Sequence, residues 1–238
     1  ALVFLRIGAA FAVLPAFGER VVPARLRLAG ALAMTAVVAP AVAGAMPAWP
    51  SGLAGLLALA GGEALIGLAL GLALRFLVMA LQIAGTIAAQ ATSLAQFFGG
   101  AGAEPQPAIA QILMLAGLAV LVLAGLPERA AAYLILSYEA VPAGTWPDPE
   151  ALARWVTLRI AEAFALGFTL AAPFVIASAL YNLALGAINR AMPTLMVAFV
   201  GAPAITLGGL ALLALAAPVM LSVWWGAAAR HLADPPLS

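Results

Sequence analysis

Catalysis by this chain would have to be assembled from very few residues. Ser93, Ser137 and Ser178 offer hydroxyl nucleophiles, but the single histidine, His231, sits three residues before Asp234 in a polar C-terminal tail. There a solvated terminal residue is expected rather than a ligand or a base. A Ser–His site needs both side chains within hydrogen-bond reach of each other, and no spacing here brings them together. Glu63, Glu104, Glu139 and Glu162 are scattered, with no pairing suited to acid/base or metal work. A phosphate-binding glycine loop needs a following Lys, and the chain has none. The run Gly99-Gly100-Ala101-Gly102 therefore reads as hinge or loop backbone. Zero Cys excludes disulfides, thiolate catalysis and zinc–thiolate sites together. These residues predict no enzyme activity, no cofactor and no metal site.

What remains are ionisable residues in oily surroundings. Arg6, Glu63 and Arg75 stand inside apolar runs, where a charge costs at least about 2.5–3.5 kcal/mol on insertion scales and marks a functional candidate by default. The bland reading is that Glu63 neutralises one of the arginines, because buried charges are usually paired, or that these sites are less deeply buried than hydropathy implies. Glu63, Gly67, Gly71 and Arg75 recur every fourth residue and trace one helix ridge with GxxxG at its centre. Such a ridge admits another backbone closely. The approaching backbone belongs either to this chain or to a neighbouring subunit, and spacing alone leaves both open.

The elements that carry these residues are set by composition. The chain is 66% hydrophobic and 8% charged, with mean hydropathy +1.15, against roughly 25% charged residues in soluble globules. An all-α integral membrane or membrane-complex protein is predicted, built of long, kinked apolar helices and helical hairpins in a single domain over 1–238. The net charge of +1 is dispersed, so nucleic acid is not an expected partner. The chain begins at Ala1, inside an apolar run, and the natural start is expected upstream.

Ala1 to Phe17 reads as a first helix, followed by a charged turn from Gly18 to Arg27. The run from Leu28 to Gly62 is interrupted by Pro40, Pro47 and Pro50, with Trp49 as an interfacial anchor. A third element from Leu53 to Phe98 exceeds the roughly 20 residues of one span, so it is either one long tilted helix or bent at Gly61-Gly62 or Gly85. A fourth runs from Ile109 to Leu126. The stretch from Glu128 to Arg159, with its charges, tyrosines and prolines, is predicted as the main aqueous excursion. Within it Asp148-Pro149-Glu150 marks a helix start, and Glu150 with Arg154 and Arg159 with Glu162 are helical pairs. Two charge-free runs, Ala163 to Asn189 and Ala191 to Ala229, meet at Arg190, where Pro193 predicts a tight connection. The last run carries Gly201, Pro203, Gly208, Gly209 and Pro218 and is a candidate for a bend. Trp224 and Trp225 before Arg230 suit a water interface. Arg20, Arg25 and Arg27 favour a cytoplasmic first connection, too weakly to set a topology.

Against this background, Gln90 to Gln111 (QATSLAQFFGGAGAEPQPAIAQ) is a polar, glycine- and proline-broken interruption. Backbone that is not helical finds no hydrogen-bond partner in lipid, so such a segment belongs in water, inside protein or against an aqueous path.

Four blocks, Phe4 to Pro40, Gly62 to Gln90, Ser137 to Gly144 (SYEAVPAG) and Asn189 to Gly209, together resemble the FliR family of flagellar biosynthetic proteins, with an injectisome counterpart as the close alternative. The resemblance implies an all-helical, pore-forming subunit of a type III export gate in the bacterial inner membrane, at the flagellar basal body. It implies FliP-like and FliQ-like partner subunits, an FlhB-like export component, membrane lipid, and unfolded secreted proteins as substrates. It also places the pore plug on the segment after Gln90: Phe97 and Phe98 as an apolar seal, Gly99, Gly100 and Gly102 as hinge, then Glu104, Pro105 and Pro107. The aspartate-proline that the family carries after the aromatics is replaced here by Gly99 to Glu104 and Pro105. Arg6, Glu63, Gly67, Gly71, Arg75, Arg190 and Pro193 are the expected buried-charge and subunit-packing positions. A reading from a different class is a multi-span small-solute transporter with a midplane site at Glu63 and Arg75. It predicts internal repeats with matching broken helices, of which Gly61-Gly62 and Gly208-Gly209 are the faint candidates.

Overall fold

The computed structural model describes residues 1–19, 21–47, 52–92, 108–192 and 197–233, and every regular element among them is helical. Arg20, Trp49, Pro50, Ser93, Pro193 and the whole plug stretch from Phe97 to Pro107 lie outside the described residues. The helices are α1 (Leu2–Val13), α2 (Ala24–Ala41), α3 (Leu53–Thr92), α4 (Ala108–Leu123), α5 (Leu126–Ala140), α6 (Pro149–Ala191) and α7 (Val197–Ala233). A short 3-10 turn, Ala43–Ala45, follows α2.

Three expectations change. The charged turn is shorter than predicted, because Pro23 caps α2 and its carbonyl accepts from the amides of Leu26 (3.0 Å) and Arg27 (3.1 Å). Arg25 and Arg27 are therefore helical. The excursion from Glu128 to Arg159 is largely a packed helix: α5 buries Ala130, Tyr133, Leu134, Ser137 and Tyr138. Gly125, at φ +79°, bends the chain by 76° between α4 and α5, a left-handed turn that favours glycine. Pro127 then falls in the first turn, where no amide is needed. The third change is at Trp224, which is fully buried rather than interfacial.

α3 runs as one helix of 40 residues, about 60 Å at 1.5 Å per residue. Its glycines do not break it because their missing Cβ atoms are used for close approach. Gly61 and Gly62 lie against the Trp146 ring, and a Cβ on Gly85 would collide with the backbone of Ala110. α7 likewise continues through Gly208, Gly209 and Pro218. The expected start of α6 is present, with the Ala151 amide donating to Asp148 Oδ2 at 3.0 Å. Arg154 pairs with Glu150 at 2.8 Å and Arg159 with Glu162 at 3.0 Å.

The chain packs as two compact units, one from Ala1–Val78, Leu118–Glu162 and Gly226–Ser238, the other from Met79–Gly117 and Ala163–Trp225. In the first, α1 packs on α2, and α2 on α5. In the second, Gly117 admits the side chains of Leu81 and Trp224, while Gly167 lies against Ile83. Among the described residues four helical stretches are long and apolar enough to cross a membrane: Ala24–Ala41, Leu53–Thr92, Pro149–Ala191 and Leu207–Ala233. The bent pair of α4 and α5, counted as one span, makes a fifth.

Candidate functional site

The buried charges of the first unit converge on Arg6. Its side chain and that of Glu63 are both 0% exposed. Arg6 Nε donates to Glu63 Oε2 at 2.8 Å and Nη2 to Glu63 Oε1 at 3.1 Å, the two-pronged geometry that suits a planar guanidinium. Nη1 donates to the Ser137 carbonyl (3.1 Å) and Oγ (3.2 Å), and both Nη atoms reach the Val141 carbonyl at 3.1 Å. The five N–H donors of an arginine thus all have acceptors. The Tyr138 ring covers the guanidinium, with Cζ 3.8 Å from its centroid, a cation–π arrangement. Glu63 Oε1 also accepts from the Gly144 amide at 2.8 Å, and Ser137 Oγ donates to the Leu134 carbonyl at 2.6 Å.

Local structure explains how the parts meet. A Cβ on Gly67 would fall on the carbonyl oxygen of Arg6, and one on Gly71 would lie 2.5 Å from that of Ala10. Arg6 pairs with Gly67 and Ala10 with Gly71 in the same direction, so α1 runs parallel to α3 along the small-residue ridge. Within this chain the ridge is a track for α1. Its ends are charged: Glu63 takes Arg6, and Arg75 reaches the Val13 carbonyl (3.4 Å) and Glu19 Oε1 (3.5 Å). The second pair is partly exposed and contributes at most about 1 kcal/mol. On the other side, Gly144 at φ +78° turns the α5–α6 connection so that its amide faces Glu63.

Of the predicted positions, Arg6, Glu63, Gly67 and Gly71 therefore come together, while Arg75 sits on the same ridge with a different partner. Glu63 and Arg75 do not share a site: twelve residues of helix separate them by about 18 Å. Arg190 is exposed at the end of α6. Ser137, Tyr138, Val141 and Gly144 were not predicted as members of the cluster, although the SYEAVPAG block with its turn glycine contains all four. The expectation of a solvated His231 is also corrected. Its side chain is 11% exposed, Arg159 Nη1 lies 2.9 Å from its Nε2, and Glu162 Oε2 lies 3.7 Å away. Arg159 in turn lies over the Trp155 ring at 5.4 Å, so the end of α7 is held against α6 within this unit.

Chemically, the Arg6 cluster is closed. The carboxylate is committed to a guanidinium and an amide, and the guanidinium to five acceptors, so neither is presented to a substrate. Such a cluster fixes the relative positions of α1, α3, α5 and the following loop.

Comparison with known proteins places this architecture. Residues 1–230 match the family described as bacterial export proteins, family 1. The chain is 35% identical over 226 residues to the flagellar biosynthetic protein FliR of Caulobacter vibrioides, covering 94% of this chain and 90% of that protein. It is 31% identical over 221 residues to FliR of Escherichia coli, covering 91% and 83%. With FliR of Bacillus subtilis it shares 30% over 207 residues, covering 85% and 79%.

Proposed function

The chain belongs to the bacterial export proteins of family 1, a membrane-embedded component of flagellar type III export, and we propose that it is a pore-forming subunit of the export gate. In this reading it assembles in the inner membrane, at the flagellar basal body, with FliP-like and FliQ-like subunits and an FlhB-like component. Unfolded secreted proteins pass through the assembly. The observation that carries the reading is the pair of long helices whose apolar surfaces the described residues leave uncovered. Only 28% of the span window in α6 and 22% of that in α7 is buried, and Leu180, Leu183, Leu207 and Leu215 are all more than 60% exposed. α6 has 43 residues, about 65 Å, more than twice the hydrocarbon thickness of about 30 Å. Lipid alone does not cover such a helix along its length, whereas neighbouring helical subunits do.

The sequence supports a plug on Phe97 to Pro107, between the end of α3 at Thr92 and the start of α4 at Ala108. Phe97 and Phe98 provide the seal, Gly99, Gly100 and Gly102 the hinge, and Glu104, Pro105 and Pro107 the polar, broken continuation that lipid would not accept. Deleting Gly99 to Glu104 is expected to make the membrane permeable to small solutes while the subunit still co-purifies with its FliP-like and FliQ-like partners. An intact permeability barrier in an assembled deletion variant counts against the plug.

A further inference from the structure

We infer that the groove between α1 and α2 edged by Arg27 binds an anionic phospholipid. α2 is the least buried of the candidate spans, with 17% of its window covered, and Leu26, Leu32 and Val37 are exposed. Within the first unit two apolar grooves of similar size flank it. One, of about 390 Å³, is lined by Phe4, Leu5, Gly8, Ala9 and Leu28 and carries Arg27. The other, of about 350 Å³, lies toward α5 and carries Glu128. Both volumes fall in the range of roughly 300–1,000 Å³ typical of small-molecule sites. Their charges differ in sign, and only the first complements a phosphate.

The cation is placed at the end of the span, where headgroups lie. Arg27 stands in the first turn of α2, and its Nη2 donates to the carbonyls of Glu19 (3.1 Å) and Val22 (3.5 Å). Its Nε is buried without a hydrogen-bond partner. Neither Arg27 nor the exposed Arg25 forms an ion pair among the described residues. The N-terminus of α2 adds partial positive charge, having no side-chain cap. One acyl chain lies against Phe4, Leu5, Gly8 and Ala9, while the phosphate faces Arg27. An apolar neighbouring helix would fill the floor but leave Arg27 without an anion, so the charge favours lipid. The site requires membrane residence only, and stands or falls separately from the gate reading.

The test is native mass spectrometry of the full chain, in the membrane complex that co-purifies with it, titrated with phosphatidylglycerol and phosphatidylcholine of equal chain length. A preference of roughly fivefold for phosphatidylglycerol is expected, the effect of one arginine at an anionic surface. Arg27→Gln is expected to lower that preference about fivefold, and Arg27→Lys to retain it. Ala9→Trp fills the groove and is expected to lose the tightly bound lipid of either kind, with an unchanged melting curve as the check on folding. Should Ala9→Trp not fold, a brominated acyl chain crosslinked from a photoreactive residue at Gly8 reports the same occupancy. Equal binding of the two lipids, or an Arg27→Gln variant with undiminished preference, overturns the site. A crosslink from Gly8 to a protein subunit and not to lipid overturns it in favour of a helix.

Discussion

Removing Glu63 should be among the most damaging single changes in the chain, and the geometry sets its size. Glu63→Leu leaves the Arg6 guanidinium at 0% exposure with neutral acceptors only, and breaking a buried pair from one side costs about 3–5 kcal/mol. It also strips the Gly144 amide of its 2.8 Å acceptor, a further cost of about 1–3 kcal/mol for a buried donor. The total, roughly 4–8 kcal/mol, is comparable to the whole stability of a typical domain, so this variant should fail to accumulate. The measurable form is therefore a double-mutant cycle with milder changes: Glu63→Gln, Arg6→Met, and both together. Glu63→Gln keeps an acceptor for Gly144 but not the charge. Denaturation of the detergent-solubilised protein, followed by far-ultraviolet circular dichroism, should show each single variant destabilised by about 2–4 kcal/mol. The double variant should lose at least about 1.5 kcal/mol less than the sum, because Arg6→Met removes the charge that Glu63→Gln left unpaired. Additivity within about 0.5 kcal/mol would refute the claim that these two residues act as one buried unit.

Gly67→Ala places a methyl group on the Arg6 carbonyl and should cost about 1–3 kcal/mol by overpacking. Gly186→Ala, with nothing within 4 Å of its Cβ position, should be neutral or stabilise the chain by up to about 1 kcal/mol; thermal melts of the two variants side by side test the track. Gly144→Ala combines a φ of +78° with contacts of 2.6 Å to Leu59 and 2.8 Å to Pro47. It should destabilise by at least about 1–2 kcal/mol, read as a lowered midpoint in the same thermal melts. Arg154→Ala breaks a pair at 68% and 82% side-chain exposure and should leave the melting temperature nearly unchanged.

How much of this was legible in advance varies by element and by cause. The helical class, the membrane setting and the start of α6 at Asp148-Pro149-Glu150 followed from local pattern, because apolar runs and caps act over one or two turns. The continuity of α3 is not legible locally, since a glycine gives the same signal whether it hinges a helix or admits a neighbour. Gly85 and Gly67 do the latter because Ala110 and Arg6 approach them. The charges of α5, Glu128, Arg129 and Glu139, stand out in sequence and suggest a water-facing excursion, whereas the face formed by Ala130, Tyr133, Leu134, Ser137 and Tyr138 is buried.

The same division holds at the charged cluster. That Arg6 and Glu63 need partners, and that Glu63, Gly67, Gly71 and Arg75 share one ridge, follows from residue order alone, because helical periodicity and the cost of an unpaired charge in apolar surroundings are local properties. Which partners they take depends on contacts between distant segments. Ser137 and Val141 lie more than 130 positions from Arg6 in the chain, and no spacing rule links them. They meet because a parallel α1 seats on the glycine ridge of α3 and a left-handed turn at Gly144 closes the loop over it.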